Sequence, residues 1–149
     1  MKIKSFLFAL CLIVFAACSG SVDKKDNIEQ EGCYEGTVTV MLQDTSVENN
    51  NIRVDYITEG ETASIKINKI RFVPAMPEID VTVPNIRITN QDDGRASLSC
   101  DNVIPLALGG EFPKYIVHNF QGAVGNGTLT FSLSFGDYPT SFTGVLISN

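Results

Sequence analysis

The chain has 149 residues, with 17 acidic against 11 basic side chains and a single histidine, for a formal net charge of −6. A pI near 4.6 without any cluster of Lys and Arg argues against nucleic acid and anionic headgroups as partners, since phosphate binding needs concentrated positive charge. The length leaves room for one domain once the amino-terminal segment is set aside.

That segment reads as an address. Lys2 and Lys4 are followed by an apolar run over residues 6–16 containing Leu7, Phe8, Leu10, Leu12, Ile13, Val14 and Phe15. At 1.5 Å per residue the run reaches roughly 16 Å, about half of a bilayer's hydrocarbon core, which makes 1–17 a signal peptide rather than a membrane span. Ala16 and Ala17 place small residues before Cys18, and the stretch resembles a bacterial lipobox, with Phe15 where Leu is usual. The resemblance implies cleavage before Cys18 and acylation of its sulfur and new amino terminus. Several acyl chains anchor firmly where one holds only marginally. Ser19 stands where Asp would, by similarity to enterobacterial sorting rules, favour inner-membrane retention, so the expected location is the outer membrane, facing periplasm or cell surface.

Residues 18–32 carry Asp23, Lys24, Lys25, Asp26, Glu29 and Glu31, with only Val22 and Ile28 apolar, and read as a lipidated flexible tether. Charge this close to the acylated cysteine also resembles the surface-export signals of Bacteroides-type lipoproteins. Because Lys2 and Lys4 go with the leader while all acidic residues stay, the mature charge becomes −8. Residues 33–149 form the remaining domain.

Its period is two, not 3.6. In residues 34–43 Val38, Val40 and Leu42 alternate with Thr37, Thr39 and Met41, a half-buried strand. Residues 44–51 are polar and read as a loop. Ile52, Val54 and Tyr56, then Ala63, Ile65 and Ile67, mark the next strands around a Glu59-Gly60 turn. After Ile67 the apolar parity shifts to Ile70 and Phe72, and after Ile79, Val81 and Val83 it shifts to Ile86 and Ile88. Each shift inserts one residue, at Asn68-Lys69 and Pro84-Asn85, as a β-bulge does, and Pro84 suits a bulge or an edge because it has no N–H to donate. With Pro74-Ala75-Met76-Pro77 as the turn, both bulges are expected at one level of a bent hairpin. Asp92-Asp93-Gly94 reads as turn chemistry rather than a calcium site. A short strand follows over 96–100, and 101–113 is the longest irregular connection, expected to cross one mouth. Residues 115–124 read as a strand with Ile116, Phe120 and Val124 apolar. Asn126-Gly127 is a hairpin signal, Leu129, Phe131, Leu133 and Phe135 alternate with polar residues, and residues 141–147 close the chain after a turn over 136–139.

Eight short antiparallel strands with tight turns form an up-and-down barrel or a two-sheet sandwich, and the bends favour the barrel. Tyr34-Glu35-Gly36-Thr37-Val38-Thr39-Val40, Ile65-Lys66-Ile67-Asn68-Lys69-Ile70-Arg71-Phe72, Asp80-Val81-Thr82-Val83-Pro84-Asn85-Ile86, Asn126-Gly127-Thr128-Leu129-Thr130-Phe131 and Phe142-Thr143-Gly144 resemble the calycin-like, lipocalin-like β-barrel domain of Bacteroides-type lipoproteins. Glu78-Ile79-Asp80 departs from the Gly-Asp-Ile often found there. The resemblance implies an all-β, eight-stranded calycin-like barrel and supplies no catalytic motif.

A barrel of this size is either filled by its own side chains or holds one small ligand. The expected interior is Tyr56, Ile67, Phe72, Phe120, Phe131, Phe135 and Phe142. Pattern alone leaves both states open, and the envelope address tips the expectation to a partly open cavity for a small hydrophobic or amphipathic ligand, a carrier or sensor. The alternative is a structural or interaction module with a filled barrel that binds protein or glycan, for which Tyr115 and Tyr138 are the loop aromatics. No enzyme is expected: His118 lies within a strand without a nucleophile motif, and neither a metal-ligand spacing, a phosphate loop nor a cofactor motif is present. Cys33 and Cys100 are expected at opposite ends of the barrel, too far apart for a disulfide.

Overall fold

The computed structural model describes residues 31–91 and 94–148. The leader, Cys18 with its expected acylation, most of the tether and the Asp92-Asp93 turn lie outside the described residues. The strands are β1 (Gly32–Met41), β2 (Ser46–Glu59), β3 (Thr62–Ile70), β4 (Ile79–Asn90), β5 (Ala96–Cys100), β6 (Leu106–Ala107), β7 (Gly110–Glu111), β8 (Val117–Gly125), β9 (Thr128–Phe135) and β10 (Tyr138–Ser148). β6 and β7 are a two-residue ribbon hung on β4. The other eight form a closed antiparallel up-and-down barrel in which each strand pairs with the next, β5 passing to β8 and β10 closing on β1. Closure leaves no long barrel strand with two bare edges, which a twisted sheet of this size otherwise exposes.

Period two sets the inside and the outside. In β9 Leu129, Phe131, Leu133 and Phe135 are buried while Ser132 is exposed. In β2 Ile52, Val54 and Tyr56 are buried and Arg53 and Ile57 exposed. Asn126 and Gly127 turn β8 into β9 with φ of 55° and 78°, the left-handed pair that a two-residue hairpin with right-twisted strands requires.

Both expected bulges are present. Lys69 and Asn85 have φ of 60° and 59°, and the β3–β4 register slips between Ile67 and Ile70 and between Ala63 and Ile65. They are not level, however. The β3 bulge faces Asp80, whose carboxylate accepts the Lys69 N–H at 2.9 Å, while the β4 bulge faces Ser64, five residues further along β3. The ribbon therefore bends at both ends. Pro84 falls where β4 is covered by neither β5, which pairs with Arg87–Asn90, nor β6, which pairs with Val81 and Thr82, so its missing donor leaves no ladder bond unmade.

Several boundaries differ from the sequence reading, among them the last strand, which begins at Tyr138 rather than at 141. Residues 46–51 belong to β2, paired with β1 from Ser46↔Met41 onward; all but Val47 are polar because here β2 outruns β3. The barrel begins at Gly32, and Glu31 is already tied to it, its carboxylate accepting the backbone N–H and hydroxyl of Thr58 at 2.6 and 2.5 Å. β8 starts at Val117, since Tyr115 ends a 3-10 turn, Pro113–Tyr115; a further bulge at Asn119 (φ 53°) moves the buried set to Val117, Phe120 and Val124 and leaves Ile116 only half-buried. The 101–113 connection, expected to cross one mouth, is also pinned to the wall, through β6 on β4 and a Val103↔Val117 bridge, before Phe112 packs on Tyr115.

Candidate functional site

Tyr56, Ile67, Phe72, Phe120, Phe131, Phe135 and Phe142, the residues expected inside the barrel, are all buried. Phe120, Phe131 and Phe142 stack in series with ring centroids 5.2 Å apart at each step. Toward the other end, Phe72 stacks on Tyr115 and meets Phe135 edge-on, each at 5.1 Å, with Phe112 and Tyr138 packed on Tyr115. The loop aromatics thus cap the barrel rather than face solvent.

Two glycines make the stack possible. A Cβ on Gly144 would lie 2.4 Å from the Phe142 ring and 2.8 Å from the Glu35 carbonyl, and one on Gly122 would lie 2.7 Å from Phe131 Cβ. The bare backbone of Gly144 is the seat of the Phe142 ring, the arrangement that offsets a glycine's weakness in a strand, while Gly122 lets β9 approach closely at Thr130 and Phe131. Tyr34, fully buried, completes the interior, and burial pushes its phenol up to about 12. It was not among the residues expected there, although it has the inward parity of Val38 and Val40.

The remaining chemistry-bearing residues do not converge. Cys33 and Cys100 are free thiols on strands four places apart in a ring of eight, at opposite ends of the barrel. Burial pushes the Cys33 thiol up, with Asp55 adding to it, and pushes Cys100 up to about 11. His118 Nδ1 lies 3.7 Å from Asp101 on the exposed outer wall. Asp101 also accepts the Asn119 N–H at 3.0 Å, and that bond is the main reason its carboxyl sits below the usual range. Among the described residues no three His, Cys, Asp or Glu side chains are placed to hold a metal ion.

The outer wall carries grooves. One of 690 Å³ runs along β4 between Lys66 and Lys69 on one side and Leu106 and Leu108 on the other, with Asp80 and Thr82 on its floor. A more polar one of 580 Å³ lies where β5 ends, among Asn85, Arg87, Asp101, Asn119 and Gln121. No family model matches the chain, and neither the curated proteins nor the solved structures yield a match.

Proposed function

We propose that this protein is a non-enzymatic lipoprotein, held in the outer membrane by acylated Cys18, whose barrel acts through its outer wall. One observation carries the choice between wall and interior: the seats inside the barrel are taken by the chain's own aromatic rings. A carrier needs room for its ligand, and drug-sized pockets bury most of the ligand's surface. The Phe142 ring on Gly144 and the rings stacked beside it support the reading that a ligand would have to displace them. The grooves outside are open and suited to a macromolecular surface.

The test of the wall reading is native mass spectrometry of residues 19–149 made without the leader, with organic extraction of what co-purifies, followed by titration with fatty acids, bile-acid-like amphiphiles and haem. A bare mass and no saturable binding are expected. A discrete adduct lost on extraction restores the carrier reading. For the anchor, the amino-terminal peptide of the native protein should carry acyl mass on Cys18, and Cys18→Ala should move the protein from the membrane to the soluble fraction. An unmodified Cys18 would end that part of the proposal.

A further inference from the structure

Two hairpin turns in this molecule share one geometry and differ in one residue. Asn126-Gly127 has φ of 55° and 78°; Leu108-Gly109, at the tip of the β6–β7 ribbon, has 53° and 87°. Asn is favoured at the first of these positions because its short polar side chain tolerates the left-handed conformation, which other non-glycine L-residues adopt at a cost. Leu108 adopts it while 73% exposed, and Leu106 beside it is 41% exposed. A leucine held in this conformation and this exposed gains from burial against a partner.

Register sets out the face around it. Lys66 pairs with Thr82, Thr82 with Leu106 and Leu106 with Glu111, so these four outward positions form one row across β3, β4, β6 and β7. The row reads cation, hydroxyl, apolar, anion. A two-fold axis parallel to the strands, over the seam between β4 and β6, lays Lys66 of one copy on Glu111 of the other and Leu106 of each on Thr82 of the other. One level along, Leu108 stands beside Asp80 and the same rotation carries it into the opposite copy's groove, between the Lys69 stem and Asp80, whose carboxylate is already engaged by the Lys69 N–H. Isologous interfaces demand this self-complementarity, a knob next to the hole that fits it and charges that exchange sign under the axis. Within one copy Lys66 and Glu111 are three ladder spacings apart, about 14 Å, and the described ion pairs, Arg71–Glu78 and His118–Asp101, involve neither.

We infer that the β4–β6–β7 face is a self-association surface, a second copy of this chain being the partner that the outer wall fits. The inference rests on the outer-wall reading and gives it an occupant. Tethering to a membrane confines copies to two dimensions and raises their effective concentration, so a modest affinity suffices.

Sedimentation equilibrium of residues 19–149, which retain every barrel strand, tests it from about 1 μM to about 1 mM, a range that captures weak dimers. A dimer is expected, weakened at least about tenfold by Leu108→Asn while thermal unfolding stays at or above the parent's. Lys66→Glu and Glu111→Lys should each weaken it by about tenfold, and the double variant should recover most of the loss, a rescue that residues this far apart in one chain do not give each other. A monomer throughout, or a dimer indifferent to Leu108→Asn, overturns the pairing and leaves the outer-wall reading standing; that reading fails on a bound interior ligand instead.

Discussion

At the scale of single residues, Gly144 and Phe142 act as one unit. A methyl on Gly144 meets both the Phe142 ring and the Glu35 carbonyl, so Gly144→Ala should destabilise by about 2 kcal/mol through overpacking. Phe142→Ala should cost about 3–5 kcal/mol as a cavity. In the double variant the methyl occupies space the ring has left, and urea denaturation should give a loss smaller than the sum of the two. Strict additivity would show that the ring is not seated on the glycine. Tyr34 gives a second prediction. Its phenol is raised from 10 to about 12 by burial, so between those values the unfolded chain has lost a proton that the folded one keeps. Stability should therefore fall as pH rises from 10 toward 12, by at most about 1.4 kcal/mol per unit. Tyr34→Phe should flatten that alkaline limb, read from urea midpoints. The aromatic interior was legible in the sequence because period two sorts side chains by face. Gly122 and Gly144 were not, because a glycine in a strand announces only a missing side chain, and which ring covers it depends on a neighbour in register.

Bulges decide the geometry at the scale of the element. A parity shift of apolar residues located those at Lys69 and Asn85, since one inserted residue throws all later side chains to the other face. Their stagger was not legible: register across β3 and β4 depends on the irregular 71–78 turn, whose length in space the sequence does not specify. The bulge at Asn119 escaped for a related reason, because Ile116 made an unbroken alternation look continuous with Phe120. That bulge has a chemical fastening. The Asp101 carboxylate accepts the Asn119 N–H and is held below the usual carboxylate range by it, so the charged form belongs to the folded state. Its stabilisation is present above the ordinary carboxyl value of 3.8 and is lost as pH falls through the lower folded value. Asp101→Asn should remove that part of the acid limb, lowering the urea midpoint most at neutral and higher pH and bringing it close to wild type in acid, where the wild-type carboxyl is protonated too. An unchanged acid limb would mean the bond does not persist in solution.

For the whole molecule the question is whether an eight-stranded barrel works by what it encloses or by what it displays. Strand count and turns pointed to the barrel, but a Phe that fills a barrel and a Phe that lines a cavity have the same parity, so the state of the interior was beyond the sequence. The rings stacked at 5.2 Å form a buried aromatic cluster, and the filled-barrel proposal rests on it. A packed core can be opened deliberately. Phe142→Ala should leave an apolar void, and such voids stay dry and take up small hydrocarbons. Ligand that binds only the folded state raises its stability with concentration. Benzene at fixed concentration should consequently raise the melting temperature of Phe142→Ala and leave the wild type unmoved. The comparison also guards against general solvent effects, which would shift both proteins alike. If the wild type rises as much as the variant, the barrel already holds free volume among its aromatic rings, and the interior, not the wall, becomes the place to look for a ligand.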